Sequence, residues 1–122
     1  MAGGGPNTQV YGNTITHNEA SGNGLAGVVI HLHVPGSDLK NNVITFNRLS
    51  NNNLDGDFDF SPTVDPQTTD IFVASTVPLT GTVIEHNQLS DASYGIWTLN
   101  ASTSTIDHNE FGNGITTPVS NN

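Results

Sequence analysis

Val83-Ile84-Glu85-His86-Asn87-Gln88-Leu89 is one of four near-copies of a single string. The others are Thr14-Ile15-Thr16-His17-Asn18-Glu19-Ala20, Val43-Ile44-Thr45-Phe46-Asn47-Arg48-Leu49 and Thr105-Ile106-Asp107-His108-Asn109-Glu110-Phe111. Each sets a β-branched pair ahead of a short string ending in Asn, with an apolar residue just beyond. Such a repeat means that one small unit is stacked on copies of itself. The central Ile recurs at 15, 44, 84 and 106, at intervals of 29, 40 and 22. The shortest interval stands for one undecorated coil, and the others add about 7 and about 18 residues of loop, which a solenoid tolerates. Gly27, Gly56 and Gly95 follow Ile15, Ile44 and Ile84 at nearly constant distance. That spacing predicts insertions after these glycines, near residues 33–40 and 61–79. Residues 1–6 read as a Gly-rich flexible leader or cloning junction, and 7–122 as the repeat domain.

Inside each copy the pattern has period 2. Ile15, Ile44, Ile84 and Ile106 are expected to point inward, with Thr16, Thr45, Glu85 and Asp107 outward. Ala20, Leu49, Leu89 and Phe111 resume the inward set after a corner. Gly27 to Leu32, Phe58 to Phe60, Ile71 to Val73 and Gly95 to Leu99 supply further strands. No segment has a helical period. Asn18, Asn47, Asn87 and Asn109 fall at that corner, where Asn tolerates left-handed backbone and its amide bonds to equivalent amides about 4.8 Å above and below. They are read as a structural ladder.

Composition narrows the function. The chain has 122 residues, 34% hydrophobic and 11% charged, so Asn, Thr, Ser and Gly cover its surface. Two basic residues, Lys40 and Arg48, stand against eleven acidic ones, for a net charge of −9. That charge argues against nucleic acid and anionic membrane as partners, because phosphate binding needs clustered Lys or Arg. No apolar run is long enough to insert in a bilayer. With no Cys, disulfides and thiolate chemistry are excluded.

The Asn-x-Ile-x-x-Asn-x-Leu strings resemble the right-handed parallel β-helix family, the repeats of pectate-lyase-like and periplasmic copper-maturation-type proteins. The resemblance covers roughly Asn7 to Gly114. It implies an all-β, single-stranded parallel β-helix of about four coils, with three sheets around a dry core. It also implies an extracellular or cell-envelope setting and two kinds of function. One is a non-catalytic module, structural or polysaccharide-binding, that self-associates through open coil ends. The other is a fragment of a Ca²⁺-dependent polysaccharide lyase or uronate epimerase. The lyases of the family use an Arg or Lys base, for which Lys40 and Arg48 are the candidates. Asp65-Pro66-Gln67 resembles the epimerase string but lacks its His.

Three groups of residues are candidates for chemistry. Asp55, Asp57 and Asp59 alternate along an extended segment, with Asp65 and Asp70 following, and like charges so spaced suit a hard cation such as Ca²⁺. The rival reading is a solvated acidic face. His17, His86 and His108 share one position of the repeat, with Phe46 in the second copy. Neighbours such as His86 and His108 would lie about 5 Å apart, close enough to stack or to share a metal; the Phe in the column favours stacking. His31 and His33 share one strand face without an identifiable third ligand. Trp97 and Tyr94 are candidate sugar-stacking platforms, although Trp97 lies in an apolar strand.

Overall fold

In a computed structural model of the chain, residues 2–3, 9–32, 38–55, 68–101 and 103–122 are described. They form a parallel β-helix of four coils. The first coil carries β2 (Gln9–Tyr11), β3 (Thr14–Thr16), β4 (Glu19–Ser21) and β5 (Val28–Leu32). The second repeats it as β6 (Asp38–Lys40), β7 (Val43–Thr45), β8 (Arg48–Ser50) and β9 (Thr69–Ser75). The third has β10 (Val83–Glu85), β11 (Gln88–Ser90) and β12 (Tyr94–Leu99), and the fourth β13 (Thr105–Asp107), β14 (Glu110–Phe111) and β15 (Thr117–Asn121). A short β1 (Ala2–Gly3), within the expected leader, pairs with β5. Stacking gives sheets in the orders β3-β7-β10-β13, β4-β8-β11-β14 and β1-β5-β9-β12-β15, plus the pair β2-β6.

The expected file of isoleucines is in place: Ile15, Ile44, Ile84 and Ile106 pair in direct register. So do Ala20, Leu49, Leu89 and Phe111. The two middle rungs are dry, Ile44 and Ile84 at 0% exposed and Leu49 and Leu89 at 1%, while the end rungs are half-buried. With Val28, Ile30, Leu32, Ile71, Val73 and Ile96 they make one core. Each such side chain contributes about 1.5–3 kcal/mol through burial.

The corners follow a five-residue rule: three strand residues, one left-handed residue, then a ladder position. His17, Phe46, His86 and His108 have φ of 56°, 54°, 55° and 51°. Gly12, Asn41 and Gly81 make the preceding corner, and Gly22, Asn51 and Asp91 the following one. The bend therefore lies one residue before the ladder Asn, not on it as expected. The physical reason is that the Asn amide must reach along the coil axis and also back to its own coil, as Asn47 Nδ2 does to Thr45 O. The preceding residue makes the turn that aims it.

The long strand corrects the reading of the insertions. Ile71 pairs with Val28 on one side and Ile96 on the other, so β9 is the middle strand of the five-stranded sheet rather than part of a loop. This register sets Asp70, not Gly56, in the file of Gly27 and Gly95. Equal spacing from Ile44 made Gly56 look equivalent, but the second coil's extra residues come before its long strand. Residues 56–67 lie outside the described residues. Likewise Asp38–Lys40, expected in the first insertion, form β6 and pair with Gln9–Tyr11; residues 33–37, with His33, lie outside. Gly95 is required by crowding, since a Cβ there would meet the Phe111 ring at 2.6 Å.

Candidate functional site

The second corner carries an unbroken amide ladder. Asn18 Nδ2 donates to Asn47 Oδ1 (3.0 Å), Asn47 Nδ2 to Asn87 Oδ1 (3.0 Å) and Asn87 Nδ2 to Asn109 Oδ1 (2.9 Å). Each Oδ1 also accepts the backbone N–H of the Asn before it, at 3.0 Å. The donors run one way, from the N-terminal coil toward the C-terminal one. Asn47 and Asn87 are buried and fully engaged, as buried amides must be.

Two shorter ladders escaped the sequence reading. Asn13 Nδ2 donates to Asn42 Oδ1 at 3.0 Å, and Asn23 Nδ2 to Asn52 Oδ1 at 2.7 Å. The five-residue spacing of Asn13, Asn18 and Asn23, and of Asn42, Asn47 and Asn52, was the signal that could have found them. In the third coil these files change. Thr82 replaces Asn in the first, its buried Oγ1 without a partner, and Ala92 replaces it in the third. At that missing step Asn52 Nδ2 turns instead to Asp70 Oδ1, at 2.9 Å.

Asp70 is thus a substitute rung. It is 0% exposed, and its Oδ2 has no hydrogen-bond partner. Burial pushes its carboxyl up to about 6, against smaller lowering effects of the Asn52 side chain and of the Asn52 and Ser90 backbones. It therefore does not belong to a solvated acidic face. Of its proposed Ca²⁺ companions, Asp55 is exposed, its N–H donating to Gly24 O at 3.0 Å. Asp57, Asp59 and Asp65 lie outside the described residues. Among the described residues no three His, Asp or Glu side chains converge on a metal position.

The left-handed corner residues stack outside the ladder. His17 and Phe46 have ring centroids 5.3 Å apart, Phe46 and His86 5.1 Å, and His86 and His108 5.1 Å, with planes within 19° of parallel. His86 and His108 stack, as the Phe in their column suggested. Thr16 Oγ1 lies 2.8 Å from His17 Nδ1, and Asp107 Oδ2 lies 3.2 Å from His108 Nδ1. Beside the rings runs an open groove of about 380 Å³, floored by Asn47 and walled by Arg48, Gln88 and Glu110. Arg48 pairs with Glu19 at 3.5 Å, and Gln88 donates to Glu110 at 3.1 Å. Lys40 ends β6 rather than lying in an insertion, and Arg48 opens β8, with the β7 face between them.

Stacking offsets the strain of the left-handed corner, which costs roughly 1–2 kcal/mol per residue. Phe46→His should therefore change stability by no more than about 0.5 kcal/mol. Phe46→Val should cost at least about 2 kcal/mol, since it loses two ring contacts and sets a β-branched residue at φ 54°. Urea unfolding of the two variants checks this; equal losses would refute the role of the stack.

Trp97 is packed into the sheet rather than presented at the surface. It is 3% exposed and stacks on Phe72 at 4.8 Å, with planes 6° apart, so that face of the indole is occupied. Phe72 sits beside it because β9 pairs with β12, the register that the misplaced insertion concealed. Tyr94, at the start of β12, is half-buried.

The family model described as "Right handed beta helix region" matches residues 1–111. The chain belongs to that family. No curated protein and no solved structure matches it. Right-handed β-helix membership agrees with the stacked parallel sheets and amide ladders; it does not by itself assign an activity.

Proposed function

We propose that this right-handed β-helix is a non-catalytic solenoid module, a structural or surface-binding segment of an extracellular or envelope protein. The observation that carries the reading is the use made of Asp70. A buried carboxyl with a raised pKa marks an acid–base site when it lines a cleft. Here its Oδ1 completes an amide ladder within the coil wall. The guanidinium of Arg48, the candidate lyase base, is paired with Glu19 on an exposed face, where neither partner is desolvated for proton transfer.

The test is incubation of the chain with uronate polymers and Ca²⁺, followed by the ultraviolet absorbance of unsaturated products and by proton exchange at C5. No turnover of either kind is expected. Turnover abolished by Arg48→Gln would overturn the module reading in favour of the lyase or epimerase alternative.

A further inference from the structure

We propose that the groove beside the ring column holds planar, conjugated organic cations laid along the coil axis. This goes beyond the module reading, because the groove would bind them whether or not the chain turned over a substrate. Within the column Phe46 is covered on one face by His17 and on the other by His86, and His86 in turn by His108. What the rings turn outward is their edges, and Phe46 remains 53% exposed. Aromatic edges are the positive part of the ring quadrupole and prefer the π-face of a partner. A ligand that packs on ring faces finds them taken. A flat ligand that offers its own face meets a row of edges at steps of 5.1–5.3 Å. The groove follows that row, and its volume of about 380 Å³ suits a small molecule.

Charge selects the sign of the ligand. On the wall facing the rings, the guanidinium of Arg48 is paired with Glu19 at 3.5 Å. Glu110 is bound through one oxygen to the neutral Gln88, so its negative charge stays uncompensated by that contact. Arg48 opens β8 in the second coil and Glu110 opens β14 in the fourth, with β11 between them. The wall is therefore neutral beside Phe46 and negative beside His108, where Asp107 adds a second carboxylate at 3.2 Å from the ring. A cation with its charge at one end lies with that end at Glu110 and its uncharged rings over Phe46 and His86. An anion is repelled by the same carboxylates and by a chain of net charge −9. The groove lies along the side wall and uses neither end of the coil stack.

The test is titration of the full chain with thioflavin T, a flat benzothiazolium cation. Binding is followed by the dye's fluorescence and by circular dichroism in its own absorption band. Saturable one-to-one binding with an induced dichroic band is expected, weakened by salt. Phe46→Asn removes the central ring and sets a residue tolerant of left-handed backbone at φ 54°. It should lower the affinity by about fivefold or more. Glu110→Lys leaves the ring column in place and should lower it by about tenfold or more. An anionic naphthalene sulfonate should not compete, and sedimentation of the same samples should find the dye on single chains. The groove is overturned as the site by no saturable binding, or by a dye signal confined to aggregate that sediments. Affinities unmoved in both folded variants, or equal binding of the anionic probe, would overturn it as well.

Discussion

Asn87→Ala is expected to destabilise the chain by about 3 kcal/mol or more, a large share of the 5–15 kcal/mol typical of a domain. The side chain is 0% exposed and serves five partners. Its Nδ2 donates to Asn109 Oδ1, Ile44 O and Glu85 O at 2.9–3.1 Å, and its Oδ1 accepts from Asn47 N and Nδ2. Truncation strands the Asn47 N–H inside the wall, out of reach of water, and leaves a cavity in a packed column. The unmet group dominates, because a buried donor without a partner costs about 1–3 kcal/mol by itself. Asn18→Ala is the control. That residue is exposed and its Oδ1 receives no described donor, so its loss should cost less than about 1 kcal/mol. Chemical denaturation of both variants checks the ratio. Equal losses would mean that the ladder is no more than a row of independent surface amides.

The same ladder shows what was legible in the chain. A file of isoleucines could be read because direct stacking preserves residue type: Ile15, Ile44, Ile84 and Ile106 face the same dry space and meet the same selection for shape. The ring column was legible for the same reason, with Phe46 revealing what His17, His86 and His108 do. The long strand of the second coil was not. Its file runs Gly27, Asp70, Gly95, and a carboxylate among glycines has no local signature. Its identity follows only from Ile71 pairing across to Val28 and Ile96. Left-handed corners were displaced by one residue because Asn is the familiar left-handed residue, although His shares that tendency and only Phe46 lacks it. Propensity pointed to the wrong neighbour. Trp97 was ambiguous for a related reason: an aromatic in an apolar strand is core or platform according to what pairs beside it, and that was Phe72.

Asp70→Asn should stabilise the chain above pH 7 and make little difference near pH 5. The carboxyl is pushed up to about 6 from 3.8 by burial. A raised acid favours its protonated form in the folded state. Its contribution to stability is thus fully present below the unfolded value near 3.8 and is lost as pH rises through about 6. At pH 7.5 the folded chain holds an ionised, fully buried carboxylate whose Oδ2 has no partner. Asparagine keeps the Oδ1 that accepts from Asn52 Nδ2 and removes the charge. The expected gain at pH 7.5 is about 1–2 kcal/mol, falling toward zero by pH 5. Asp70→Ala should behave differently. It removes the charge but leaves one N–H of Asn52 Nδ2 without its acceptor, the other being held by Ala20 O, so the cost of the lost acceptor offsets the gain. Unfolding midpoints of the wild type and both variants between pH 4.5 and 8 distinguish charge from hydrogen bonding. A wild type and Asp70→Asn variant with parallel pH profiles would show that Asp70 titrates as an ordinary surface acid. Its place as the missing rung would then have to be abandoned.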